Sequence, residues 1–293
     1  MANSSSPLVL GNRYRLGPLL GQGASGAVYE ALDLMLGRPI AIKCMKLPDG
    51  ADAAVRAQEF VAEAQTLARL DHPHIVDIHD VGIDETGRPY FVMALVERSL
   101  RDVLRVRGAL EVEEVLALLL PLCGALACAH DLGIIHCDLK PENIAVHRVG
   151  LDGLRGKLLD FSIARHGSSS EGSRPFIVGT PGYMAPEQIR FDRCGPRSDV
   201  WSLAAVAFEC LTLRLPFEDE NAAALLHRTV TDTPPSVAEF APSLPMPIVR
   251  RHRWPPHRRR LRRRWPHRPG LPRALADHRS DVPHDKNCVA RSL

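Results

Sequence analysis

Over roughly the first hundred residues, apolar and polar positions alternate in short runs; beyond that, apolar positions recur at helical spacing. Tyr14–Leu20 and Ala27–Leu32 read as strands on either side of a glycine-rich turn, Gly21 to Gly26, and Pro39–Cys44 reads as another. Across 52–70, Phe60, Ala64, Leu67 and Leu70 fall on one face of an Ala-, Glu- and Gln-rich helix. Two further strands are expected at Ile75–Val81 and Pro89–Leu95, joined through the turn signal Glu85-Thr86-Gly87. From about Glu97 the pattern turns helical, with helices expected at Ser99–Val106, Val112–His130, Pro186–Gln188 and Asp199–Leu213. Short strands are expected at Ile144–His147 and Lys157–Leu159, and no internal repeat is present. The most apolar stretch, Val115 to His130, is shorter than the ~20 residues needed to span a bilayer. Pro121 and Gly124 interrupt it, so it reads as a buried helix.

Composition narrows the class. At 293 residues and 45% hydrophobic, the chain can bury a sizeable core as one large domain or two ordinary ones. The opening Met-Ala-Asn-Ser-Ser-Ser-Pro has neither a basic region nor a long apolar run, so no signal peptide is expected. Seven scattered cysteines without a CxxC pair argue against a zinc site or disulfide framework and fit a reducing, cytoplasmic setting. The net charge of +3 conceals a split. Residues 250–293 hold 13 Arg and 1 Lys against 3 Asp, a net of +11, which leaves −8 on residues 1–249.

Several groups stand at spacings that suit phosphate chemistry. Gly21-Gln-Gly23-Ala-Ser-Gly26-Ala-Val28 would bring backbone N–H groups close to phosphates, although a mobile hairpin also uses glycines. A dinucleotide-binding turn would need a helix directly afterwards, and here a strand follows. Ile40-Ala41-Ile42-Lys43 puts a lysine in an apolar strand, where it is either a snorkelling edge residue or the partner of an acid such as Glu63. His136-Cys137-Asp138-Leu139-Lys140-Pro141-Glu142-Asn143 lines one loop with a base, a cation and a metal-ligand type. Asp160-Phe161-Ser162 follows a short strand, and Gly179-Thr180-Pro-Gly-Tyr183-Met-Ala185-Pro186-Glu187 and Ser198-Asp199 come next. Any one of these could be a solvated loop; their shared order and intervals are not a coincidence.

Over residues 12–248 this series resembles the bacterial eukaryotic-like serine/threonine protein kinases. The resemblance implies an α+β, two-lobed fold: an N-lobe antiparallel sheet with one helix, then a mainly helical C-lobe. It implies ATP and Mg²⁺ as cofactors, with Gly21, Gly23 and Gly26 over the phosphates, and Val28 and Ala41 against the nucleotide. Lys43 would hold the α/β-phosphates while paired with Glu63, and Asp138 would accept the substrate hydroxyl proton. Lys140 would contact the γ-phosphate, and Asn143 and Asp160 would bind Mg²⁺. Met93 would border the adenine site, whose hinge is Ala94, Leu95 and Val96. Protein substrates carrying Ser or Thr are implied, with Thr180 in the substrate-binding segment. Candidate autophosphorylation sites are Ser168, Ser169, Ser170, Ser173 and Thr180.

The chain departs from that pattern in places. Cys137 stands where an arginine usually receives an activation-loop phosphate, so activity is expected not to depend on phosphorylation of the four serines. Ser162 replaces a glycine and is expected to alter loop flexibility without loss of metal binding. After Ile248 the apolar period stops, and 249–272 is a run of Arg, His, Pro and Trp. Three readings compete: an arm for nucleic acid or acidic membranes, a plain disordered tail, or out-of-frame translation of a GC-rich gene. The abrupt loss of pattern favours the last. The expected organisation is a flexible 1–11, an N-lobe over 12–96, an incomplete C-lobe over 97–248 lacking its last helices, and a tail over 249–293. Glu187 would then lack its usual arginine partner, and the C-lobe would be marginal. An active kinase and a catalytically silent nucleotide-binding scaffold are therefore the two functional expectations, with nucleic-acid binding by the tail as a third.

Overall fold

A computed structural model describes residues 8–23, 26–46, 53–149, 153–161, 179–190 and 194–241; at 53–56, 59, 63 and 149 it describes the backbone only. Six strands build an antiparallel sheet: β1 (Val9–Leu10), β2 (Tyr14–Gln22), β3 (Gly26–Asp33), β4 (Arg38–Met45), β5 (Ile78–Ile83) and β6 (Pro89–Ala94). Their order across the sheet is β1-β2-β3-β4-β6-β5. Helix α1 (Ala53–Leu67) connects β4 to β5 and packs on one sheet face through Phe60 and Ala64, the Phe60 ring lying 5.9 Å from that of Phe91.

The remainder is mainly helical: α2 (Leu100–Arg107), α3 (Val112–Asp131), α4 (Pro186–Ile189), α5 (Pro196–Thr212) and α6 (Ala222–Thr231). A short hairpin of β7 (Ile144–Val149) and β8 (Gly153–Leu158) lies against α3. The α2 helix starts where Ser99 and Asp102 close a reciprocal capping box, and α6 starts where Asn221 accepts from the N–H groups of Ala223 and Ala224. The main core runs from Ala41, Phe91 and Met93 in the sheet to Leu118, Leu122, Leu139, Ile144 and Val206 below it. One continuous apolar body thus joins the sheet to the helices, with the loops that carry the polar motifs between them.

Most expected elements are present with ends moved by a few residues, and some expectations need correction. The helix expected at Val112–His130 is present as α3, which runs 20 residues through both Pro121 and Gly124. By length and composition it is the one described helix apolar enough to cross a membrane, but Val115, Leu118, Leu119, Leu122 and Leu126 are buried inside the protein. The strand expected from Ile75 starts at Ile78, because Ile75 instead forms a single bridge to Leu158. Helix α6 had no counterpart in the expected elements. Ser198 Oγ donates to Glu187 Oε1 at 2.7 Å, and the tail arginines lie outside the described residues. Contacts divide the chain at Pro256/His257, and the second unit lies outside the described residues, as do Ser162, Ser168, Ser169, Ser170 and Ser173.

Candidate active site

Strand alternation sorts the sheet residues onto two faces. Ile40 and Ile42 join Leu10, Tyr14, Ala31, Tyr90 and Val92 in a small core on the outer face. Ala41 and Met45 therefore point the other way, into the main core, and Lys43 lies between them on that same face. Register carries the neighbours along: Val28 pairs with Lys43, Ala41 with Met93, and Lys43 with Phe91. Val28, Ala41, Lys43 and Met93 thus share one wall. Ala94, Leu95 and Val96 follow from the end of β6, half-buried against the same core.

The three glycines where β2 turns into β3 differ in what they do. A Cβ on Gly26 would lie 2.2 Å from the Cys44 carbonyl oxygen, so only glycine lets β3 and β4 approach there. A Cβ on Gly21 or Gly23 would meet nothing within 4 Å. Gly23 N donates to the Gly26 carbonyl at 2.8 Å and closes the turn.

Opposite this wall, a polar loop is held in place by a buried carboxylate. Asp199, fully buried on α5, accepts from His136 N and Cys137 N at 2.9 Å each, and its Oδ2 lies 2.7 Å from His130 Nε2. His136 donates from Nε2 to the Leu159 carbonyl (2.7 Å), and burial holds its imidazole below its ordinary pKa. Gln188 Nε2 donates to the Cys137 carbonyl at 2.8 Å. Cys137 has a left-handed backbone (φ 63°) with its thiol turned inward. The loop is pinned at successive residues, and the side chains beyond it are set accordingly. Asn143 Nδ2 donates to the Asp138 carbonyl (2.8 Å), while Lys140 Nζ lies 3.1 Å from Asp138 Oδ2. The Thr180 hydroxyl donates to Asp138 Oδ1 and accepts from Lys140 Nζ, both at 2.8 Å.

Asp160 ties the two halves together. Its residue follows Leu159, whose N–H donates to the Asn143 carbonyl at 2.9 Å, and its own backbone is left-handed (φ 51°). Oδ2 sits 3.0 Å from Lys43 Nζ. Oδ1 is the one buried side-chain polar atom among the described residues without a hydrogen-bond partner. An orphaned, buried carboxylate oxygen suits a hard cation. No group of three or more His, Cys, Asp or Glu forms a complete metal cage among the described residues. Phe161 packs beneath, its ring 4.8 Å from that of His136.

Of the residues singled out in the sequence, Lys43 meets Asp160, and Asp138, Lys140, Asn143 and Thr180 form one hydrogen-bonded group. Glu63 lies on α1, and its side chain falls outside the described residues. The supports were not assigned from sequence: Asp199 appeared only as part of a motif and a helix start, Gln188 only as the end of an expected helix, and Arg101 and Glu209 were given no role. Asp199 and Gln188 lie more than 50 residues from the loop atoms they hold and Arg101 lies 41 from Glu142, so no local spacing reveals them.

Residues 14–249 match the protein kinase domain family. A probable serine/threonine-protein kinase of Corynebacterium efficiens is 36% identical over 80% of this chain and 36% of its own length. The probable serine/threonine-protein kinase PknB of Bifidobacterium longum is 38% identical over 84% of this chain and 36% of its own length. The serine/threonine-protein kinase PknL of Mycobacterium tuberculosis is 35% identical over 83% of the chain and 61% of its own length. The chain thus spans between about a third and three-fifths of these relatives.

Proposed function

Since the chain belongs to the protein kinase domain family, in its bacterial serine/threonine branch, we propose that it transfers the γ-phosphoryl group of ATP to serine and threonine hydroxyls of proteins. The observation that carries this reading is the Thr180 hydroxyl, held 2.8 Å from both Asp138 Oδ1 and Lys140 Nζ. Those two groups already hold one alcohol as a substrate alcohol must be held, with a carboxylate accepting its proton and a cation beside its oxygen. In transfer, the substrate oxygen bonds to the γ-phosphorus and the bond to the β,γ-bridging oxygen breaks. ADP leaves, and the hydroxyl proton passes to Asp138. Lys140 faces the charge that develops on the transferring group. Lys43, on the sheet wall, would hold the α/β-phosphates, and Gly21 and Gly23, beside which a Cβ would meet nothing, would leave room for them. The edge from Met93 to Val96 would supply backbone groups to adenine, with Val28 and Ala41 on the neighbouring strands against the base. Asn143 and Asp160 are the residues that would hold Mg²⁺, which supplies charge neutralisation on the phosphates.

The test is ATP- and Mg²⁺-dependent transfer of labelled phosphate to a generic basic protein and to the chain itself. Asp138→Asn is expected to lower transfer by ~10²–10⁴-fold without moving the thermal midpoint. Equal transfer in the variant would remove Asp138 as the base. No transfer by the native chain, with ATP still raising its midpoint, would favour a nucleotide-binding scaffold.

A further inference from the structure

Four separate parts of the lower lobe meet at a single guanidinium. Arg101, the second residue of α2, donates from Nε to Glu142 Oε1 (2.7 Å), from Nη1 to Glu209 Oε1 (2.5 Å) and from Nη2 to the Tyr183 hydroxyl (2.6 Å). Tyr183 in turn donates to Glu209 Oε2 at 2.5 Å. Tyr183 is buried and the Glu209 side chain is only 9% exposed, so the contacts of Arg101 with these two are no surface ion pair of the kind Arg107 makes with Glu114, whereas the Glu142 side chain is 46% exposed. Burial opposes the charge on Arg101, but hydrogen bonds to Glu209 and Glu142 outweigh it and hold its pKa above the ordinary value. Only a guanidinium presents donors in one plane to three partners at once; an ammonium is a point charge.

What lies next to each partner gives the cluster its meaning. Glu142 is bonded to Asn143, inside the one-turn helix Pro141–Asn143. Tyr183 N donates to the Thr180 carbonyl (3.1 Å), closing the turn that presents Thr180 to Asp138 and Lys140. Glu209 belongs to α5, the same helix whose Asp199 pins the loop from below. None of the four side chains lines the wall formed by Val28, Ala41, Lys43 and Met93.

We propose that Arg101 is a positioning residue for phosphoryl transfer to protein: through Glu142 and Tyr183 it holds the Asn143 turn and the Thr180 turn in one fixed relation. The inference rests on the phosphotransfer reading above. Because the cluster touches the loop and not the nucleotide wall, its loss acts on the transfer step more than on ATP binding. The guanidinium can also be supplied from solution once the side chain is removed.

The experiment measures kcat and KM for ATP and for a protein substrate in the native chain, Arg101→Lys, Arg101→Ala and the surface control Arg107→Met. Arg101→Ala is expected to lower kcat by about tenfold or more, given the worth of charged hydrogen bonds, with KM for ATP changed less than about twofold. Arg101→Lys should fall between, Arg107→Met should match the native chain, and millimolar ethylguanidinium should restore part of the Arg101→Ala rate. An unchanged kcat, a KM for ATP that rises as kcat falls, or no response to ethylguanidinium would each overturn the inference. If the native chain transfers no phosphate, the phosphotransfer reading fails by itself. Hydrogen exchange then decides on the coupling: faster exchange in 136–143 and 179–190 of Arg101→Lys supports it, and unchanged exchange there overturns it.

Discussion

The two halves of the site are positioned by different physics. In the upper half, Val28, Ala41, Lys43 and Met93 face the cleft because strands alternate and their register is fixed by backbone pairing. No side-chain hydrogen bond is needed to aim them. In the lower half, Asp138, Lys140 and Asn143 sit on a loop whose shape is imposed by the buried polar groups Asp199, His136 and Gln188 and by the half-buried Arg101. The upper half should therefore be sensitive to shape and tolerant of chemistry. The lower half should be the reverse, because each missing partner leaves a buried donor or charge unsatisfied.

The sharpest way to break the contrast is Asp199→Ala. It strands two buried backbone N–H groups, so a loss of ~3–5 kcal/mol is expected, read from the denaturant midpoint. A loss well under that would mean that the loop holds its shape without its buried carboxylate. Shape is tested next, by Gly26→Ala against Gly23→Ala. The first forces a methyl onto the Cys44 carbonyl and should cost ~1–3 kcal/mol or more, while the second meets open space and should lie within ~0.5 kcal/mol. Thermal melts of the two variants should separate, and coincident melts would refute the difference.

The smallest effect is acid sensitivity. Burial lowers the His136 pKa below its ordinary 6.5, so above that pH the folded and unfolded states are both neutral there. As pH falls below 6.5 the unfolded chain binds a proton that the folded chain refuses, and stability is lost down to the folded pKa. His72, His79 and His147, also lowered by burial, add to this limb. The native chain should lose midpoint between pH 7.5 and 5.5, and His136→Gln should lose less. An identical slope in both would show that His136 contributes none of it.

The same division decides what could be read from the sequence. Sheet positions were legible because alternation is local: β2, β3, β4 and β6 lie within two residues of their expected ends. The polar motifs were legible as residue types, since His136 to Asn143 stands in one string. Their supports were not, because Arg101 meets Glu142, Tyr183 and Glu209 across 41 to 108 residues, and nothing near Arg101 marks it as different from Arg105 or Arg107. The start of β8 was missed because Gly153 and Gly156 interrupt its alternation.

The two-faced β4 strand carries one more consequence, for how such a chain can change over generations. Ile40 and Ile42 belong to the outer core, and Ala41, Lys43 and Met45 to the other side. Deleting or inserting a single residue between 39 and 43 would reverse that assignment, driving the ammonium into the small apolar core and an isoleucine into the cleft. A two-residue change would preserve parity and disturb only the turn. Among descendants of this sequence, length variation should accumulate at the β3–β4 turn around Gly37, and the strand itself should change by substitution alone.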